Sequence, residues 1–414
     1  MTLLSGHFPV RTSAQRAAAA TVLALSLAGC AAGTNLSGAV AVMGAARPVT
    51  VTAVATQPKL KAATPPRAEA ASPPQAGAAT PATTPARSGP TAAAVTAGTT
   101  VPGAPNCPMF PANNVWNTNI SKLPVDKHSA AWMRSMDAGP KSSLNLHPDF
   151  GPDTGGYPYG IPFIVVTNKT KKVRIKFQYT SESYRGLYPF GPKTPIEGGK
   201  NAGGDRHAIM VNKTTCTLYE LWEAHYSSRG SRAGSGAMWK LTSNALRPAG
   251  WTSADAAGLP ILPGLLDFAQ VQAAVKSGKP ITHAIRFTAD VTRSSYLWPA
   301  RHEAGAGLSE SLPPMGARFR LKASFSVSRF CRNSQPDCRY AKAVLTDMKN
   351  YGLILADNGS DWFFQGSAFP QWPDALVSLL KGIPARDFQA VDESCLMVSR
   401  NSGEAKAKPG CRIG

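Results

Sequence analysis

The chain has 414 residues, 43% of them apolar and 16% charged, with a formal net charge of +20. This composition excludes a wholly disordered protein, a long coiled coil and a polytopic membrane protein. After residue 30 no apolar, uncharged run reaches the roughly 18 residues needed to cross a bilayer.

The first thirty residues read as a targeting segment outside the fold. Arg11 and Arg16 precede an apolar stretch, Ala17 to Leu27, which ends in Leu27-Ala28-Gly29-Cys30. This ending resembles the lipobox of bacterial lipoproteins, and the resemblance covers residues 1–30 only. It implies cleavage before Cys30 and diacylglycerol on its sulfur, with the membrane as partner. Ala31 follows the cysteine where an inner-membrane retention signal would have Asp, so the outer membrane or cell surface is the expected location. Residues 31–105 follow as a linker: 56 of these 75 residues are Ala, Pro, Thr, Ser or Gly, and none is aromatic. Such a segment buries too little apolar surface to offset its ordering entropy, so it is expected to be a disordered tether. All eight Trp lie beyond it, in a globular part spanning 106–414.

Ser129 to Met136 offers two helical turns, and Pro162 to Val166 a short buried strand. Val173, Ile175 and Phe177 alternate with Lys172, Arg174 and Lys176, the two-residue period of a half-buried strand with a basic outer face. The segments 205–211 and 216–223 read as a hairpin around the polar turn residues 212–215. Helical patterns follow at Phe268 to Val275, Ala341 to Met348 and Asp374 to Leu380. Strand patterns follow at 285–287, 318–325, 353–356 and 388–391. Gly/Pro-rich connections occupy 138–160, 186–204 and 227–264. The expected fold is mainly β, an antiparallel sandwich or jelly-roll-like core with a few short helices and long loops. Asp357-Asn358-Gly359-Ser360-Asp361-Trp362 fits a hairpin turn better than a calcium loop, because it lacks the spacing of an EF-hand.

The hairpin carries the strongest chemical signal. A turn of either 213–214 or 212–215 sets His207 opposite Glu220, Ile209 opposite Leu218 and Val211 opposite Cys216, all on one face. An ionisable pair at the end of an apolar strip is either a structural ion pair or an acid–base pair whose neighbours tune each other. Asp205, just before the strand, and His302 are further acid–base candidates. Trp298-Pro299-Ala300-Arg301-His302-Glu303 combines an aromatic face with charged groups, so Trp298, Arg301 and Trp222 are candidate sugar-binding residues. Tyr157, Tyr159, Tyr184 and Tyr188 sit in or beside loops and either line a groove or pack the loops down.

Removing Cys30 leaves six cysteines, an even number in an exported chain. Cys331 and Cys338 bracket a polar turn and are expected to pair; the other four allow three arrangements. No CxxC or His pair suggests a metal, and no nucleotide-binding or nucleophile-elbow motif suggests a cofactor. Residues 107–414 keep a net charge of +14. The basic strand Lys172, Arg174, Lys176 would attract glycan or another polyanion, but lacks the aromatics of a specific nucleic-acid groove. These signals point to a monomeric surface-anchored glycan hydrolase or lyase, or to a non-enzymatic envelope module that binds glycan or polyanion.

Overall fold

A computed structural model describes residues 99–409 and 411, apart from 154–155. The targeting segment, Cys30 and the linker as far as residue 98 lie outside the described residues. The described residues begin within the expected linker: Thr100–Val101 pairs with Ala104–Pro108, and Val101 and Ala104 are buried.

Strand outweighs helix, and most strands fall into two sheets. The smaller has the order Ser235–Lys240, Thr217–Trp222, Ala208–Asn212, Phe163–Val166. The larger runs Phe388–Val391, Arg318–Leu321, Leu353–Asn358, Ile285–Ala289, Phe363–Gln365, His147–Asp149. Both are mixed, so the all-antiparallel expectation is corrected. Phe163–Val166 is parallel to Ala208–Asn212, Ile285–Ala289 to Leu353–Asn358, and Phe363–Gln365 to His147–Asp149. Parallel neighbours need long crossovers. The second pair obtains one from a connection that includes the Arg318–Leu321 strand and the helix Cys338–Asn350. The 357–362 segment is therefore not a hairpin turn: Ile285–Ala289 lies between the two strands it joins.

Each expected helix is found: Ser129–Ser135, Phe268–Ser277, Cys338–Asn350 and Asp374–Leu380. Phe268–Ser277 starts because the Asp267 side chain accepts from the Ala269 N–H, and it stops at Gly278 with φ 68°. Val271 and Ala274 lie on its buried side, against the Cys338–Asn350 helix. The strand at 318–321 is buried on both faces, so Arg318 and Arg320 are not its solvent side. Arg318 donates to the carbonyls of Tyr351 and Val115, and Arg320 to that of Ile120. Long basic side chains here satisfy buried carbonyls, which a period-two reading mistakes for exposure.

The hairpin is covered on both sides. Ile209, Val211 and Leu218 join the main core with Phe287 and Phe319, while Met210, Tyr219 and Leu221 pack on Tyr188. Three disulfides close the chain: Cys331–Cys338 as expected, with Cys107–Cys216 and Cys395–Cys411. The Cys107–Cys216 bridge ties the Ala104–Pro108 strand to the turn of the hairpin.

Candidate active site

The hairpin register differs by two residues from the expected one. Its turn is 213–216, so Ile209, not His207, lies opposite Glu220. His207 and Glu220 still share a face, but they do not pair. The carboxylate of Glu220 is fully buried and accepts from the N–H groups of Ile261 and Leu262 at 2.9–3.0 Å. Burial pushes Glu220 up to about 7 against the pull of those two amides. It anchors the loop at Ile261 and Leu262, and it is not among the residues that line the cleft around His207.

His207 has a different carboxylate. Its Nδ1 lies 2.7 Å from Glu197 Oε2 and its Nε2 lies 3.0 Å from the Ala254 carbonyl. Both partners are acceptors, so only the doubly protonated ring satisfies both. The electrostatics agree. Burial alone would lower the imidazole, but the Glu197 carboxylate outweighs it and lifts His207 to about 9. Burial likewise opposes ionisation of Glu197, yet His207 holds it below its ordinary value. Glu197 is fixed further by main-chain pairing, its N–H donating to the His207 carbonyl at 3.0 Å.

This ion pair should leave a signature in stability against pH. The His207 contribution is complete below its unfolded value of 6.5 and is lost as pH rises through about 9. The Glu197 contribution is present above its unfolded value of 4.5 and is lost as pH falls through the lowered folded value. The melting-temperature gap between the native protein and His207→Gln is therefore expected to be widest between pH 4.5 and 6.5 and to close above about 9. A gap independent of pH would show that the pair is not charged in the folded protein.

A second ionic group meets the first in one cleft. Arg286, the second residue of the Ile285–Ala289 strand, is 1% exposed. Its guanidinium forks onto Asp255, Nη2 to Oδ1 at 2.6 Å and Nε to Oδ2 at 3.2 Å, and its Nη2 lies 3.5 Å from Asp357 Oδ2. Asp357 is the penultimate residue of the neighbouring strand, Leu353–Asn358. Burial and the adjacent Asp255 push its carboxyl well above the usual range, and Arg286 only partly opposes them. Glu197, His207, Arg286 and Asp357 line a cavity of about 120 Å³, together with Asp149 and Gln365. Asp149 and Glu197 also line an adjoining hollow of about 280 Å³ walled by Tyr157 and Tyr159. Tyr157 is 52% exposed and its ring rests on Gly199, where an added Cβ would come within 2.5 Å of the ring.

Two carboxyl groups in one cleft are thus driven in opposite directions, Glu197 toward the anion and Asp357 toward the acid. That separation is what a pair of proton-transfer groups requires. Among the described residues no group of three or more His, Cys, Asp or Glu is arranged to hold a metal ion.

The other expected residues scatter. Asp205 lines the cleft and accepts from the Trp222 indole at 2.9 Å. Trp222 is itself half-buried against Gly234. Trp298 and Arg301 line a separate cavity of about 500 Å³ that shares no lining residue with the cleft. Their polar atoms are committed there, the Trp298 indole to the Ser402 carbonyl, Arg301 to the carbonyls of Arg247 and Arg400 and the side chain of Asn401. His302 Nδ1 lies 3.0 Å from the Ala256 carbonyl, and His302 lines neither cavity. Arg174 and Lys176 are exposed, while Lys172 lies over the Tyr219 ring with Nζ 3.2 Å from its hydroxyl. None of these three reaches the cleft.

Sequence reasoning missed Glu197, Asp149, Asp255, Arg286 and Asp357 as partners. One signal was available: an arginine between Ile285 and Phe287 in a strand calls for buried polar partners, a carboxylate as at Arg286 or main-chain carbonyls as at Arg320. No family model, no curated protein and no solved structure matches this chain.

Proposed function

We propose that the protein is a carbohydrate-active hydrolase, with Asp357 as general acid and Glu197 as general base in the cleft. The observation that carries this reading is the opposed tuning of these two carboxyl groups around one cavity. In this scheme Asp357 gives its proton to the glycosidic oxygen as the bond to the sugar carbon breaks. Glu197 takes a proton from the water that attacks that carbon. His207 acts as a positioning residue that keeps Glu197 ionised and fixed, and Arg286 orients Asp357. Tyr157 and Tyr159, partly exposed at the cleft wall, suit stacking against sugar rings. The scaffold is read as two sandwich-like sheets sharing one apolar core. A hydrolase fits this lining better than a lyase, which must neutralise a uronate carboxylate among these acidic groups.

The direct test is release of new reducing ends by the purified chain across a panel of polysaccharides. Hydrolysis of at least one supports the reading. Binding without turnover on every member would instead favour the non-enzymatic envelope module.

The lipobox resemblance supports a lipid anchor for this activity at the outer membrane or cell surface. Cys30→Ser is then expected to move the protein from the membrane fraction to the soluble one with an unchanged melting temperature. Unaltered membrane association would reject the anchor.

A further inference from the structure

We infer that the cleft selects a glycan bearing free amines, and that Asp149 with Gln365 forms the subsite for an ammonium group. This inference rests on the glycan reading and names its substrate class. Asp149 and Gln365 face each other across the parallel strand pair of His147–Asp149 and Phe363–Gln365. Gln365 Nε2 donates to Asp149 Oδ2 at 3.1 Å, and the Tyr159 hydroxyl donates to Asp149 Oδ1. Both donors are neutral, so the charge of Asp149 is not matched. Among the described residues neither Asp149 nor Asp205 takes part in an ion pair.

Gln365 supplies the second, independent observation. It is 5% exposed, lines the same cavity, and its Oε1 has no hydrogen-bond donor among the described residues. Its amide cannot turn to cure this without breaking the bond to Asp149. A buried acceptor without a donor is unfavourable, and a ligand that brings N–H groups relieves it. An ammonium offers three donors and no acceptor, which complements a carboxylate beside an amide oxygen. A sugar hydroxyl would satisfy Gln365 but leave the charge of Asp149 unmatched.

The wider electrostatics point the same way. Five carboxyl groups, Asp149, Glu197, Asp205, Asp255 and Asp357, gather around two cations, Arg286 and His207. Each of those cations is already engaged with a carboxylate of the group. Arg206, next to Asp205 in the chain, is committed to the carbonyls of Ala202, Lys200 and Ala224. The cleft is thus locally acidic on a chain whose net charge is +20. Such a contrast attracts polyanions to the body while repelling them from the cleft, and draws cations into the cleft. The overall charge, taken alone, suggests the opposite ligand.

The test compares a glucosamine oligomer, its N-acetylated counterpart and a galacturonate oligomer of equal length, using the full chain below neutral pH. Dissociation constants are measured by calorimetry and turnover separately by new reducing ends. The glucosamine oligomer is expected to bind about tenfold or more tighter than the N-acetylated one, with the gap narrowing as salt is added. Asp149→Asn, which keeps the shape, should bring the two affinities close together. Asp205→Asn, at the exposed rim, should narrow the gap by less. Equal or better binding of the N-acetylated or uronate oligomer would overturn the inference while leaving hydrolysis of those glycans intact. A preference that survives in Asp149→Asn would overturn the subsite. Amine-selective binding with no turnover of any oligomer would sustain the subsite and remove the hydrolase. A lysine oligomer of equal charge binding as tightly would overturn the assignment to glycan.

Discussion

Glu197→Gln is expected to lower kcat on a susceptible glycan by about 10²–10⁴, the usual worth of a general acid or base. Gln keeps an acceptor for His207 Nδ1 but not the charge that holds the ring protonated, so a lower melting temperature is expected and turnover is compared per folded protein. Asp357→Asn should cost a similar factor. The two variants differ in their pH profiles. In the native protein the acid limb of kcat/KM is expected to report a base lowered from the ordinary glutamate value, and the alkaline limb an acid raised well above the ordinary aspartate value. Glu197→Gln should erase the acid limb and Asp357→Asn the alkaline one. Near-native turnover in either variant would reject its role, and exchange of the two limbs would invert the assignment of acid and base.

Asp255→Ala is expected to destabilise the fold by about 3–5 kcal/mol, because it leaves the buried Arg286 guanidinium without its two-point partner. Asp357 does not compensate, since its contact with Arg286 is longer and its own carboxyl is held toward the neutral form. Adding Arg286→Met should recover much of the loss, as an apolar chain of similar length removes the unmatched charge. Urea denaturation of the single and double variants measures both effects. A loss below about 1 kcal/mol for Asp255→Ala would mean that water, not Asp255, solvates the guanidinium.

The sequence carried local order well and the assembly of the cleft poorly. The helix at Asp374–Leu380 and the strand at Phe388–Val391 were legible to the residue, because each is set by its own periodicity and turn chemistry. Parallel pairing was not legible: it depends on which distant strands meet, and no period records that. His207 was singled out for a sound reason, an imidazole at the end of an apolar strip. Its partner was misjudged because Glu197 belongs to a Gly/Pro-rich loop with no pattern to place it. The two-residue slip at the hairpin has a simple origin. Cys216 has φ 45°, which extends the turn to 213–216 and starts the second strand one residue later than the apolar pattern indicates. Trp298 and Arg301 drew notice as an aromatic beside a cation, yet each is bonded to loop carbonyls instead.

The Cys107–Cys216 bridge has a mechanical meaning. It closes a loop of sequence separation 109, so tension entering from the N-terminal side passes from Cys107 straight to the hairpin turn. The residues between them are bypassed and cannot be drawn out while the bond is intact. Asp149, Glu197 and His207 all lie within that bypassed segment, whereas Arg286, Asp357 and Gln365 come from the chain beyond it. A pull from the N-terminal side can therefore strip the Thr100–Val101 strand, yet it loads the Thr217–Trp222 strand before any residue of the cleft.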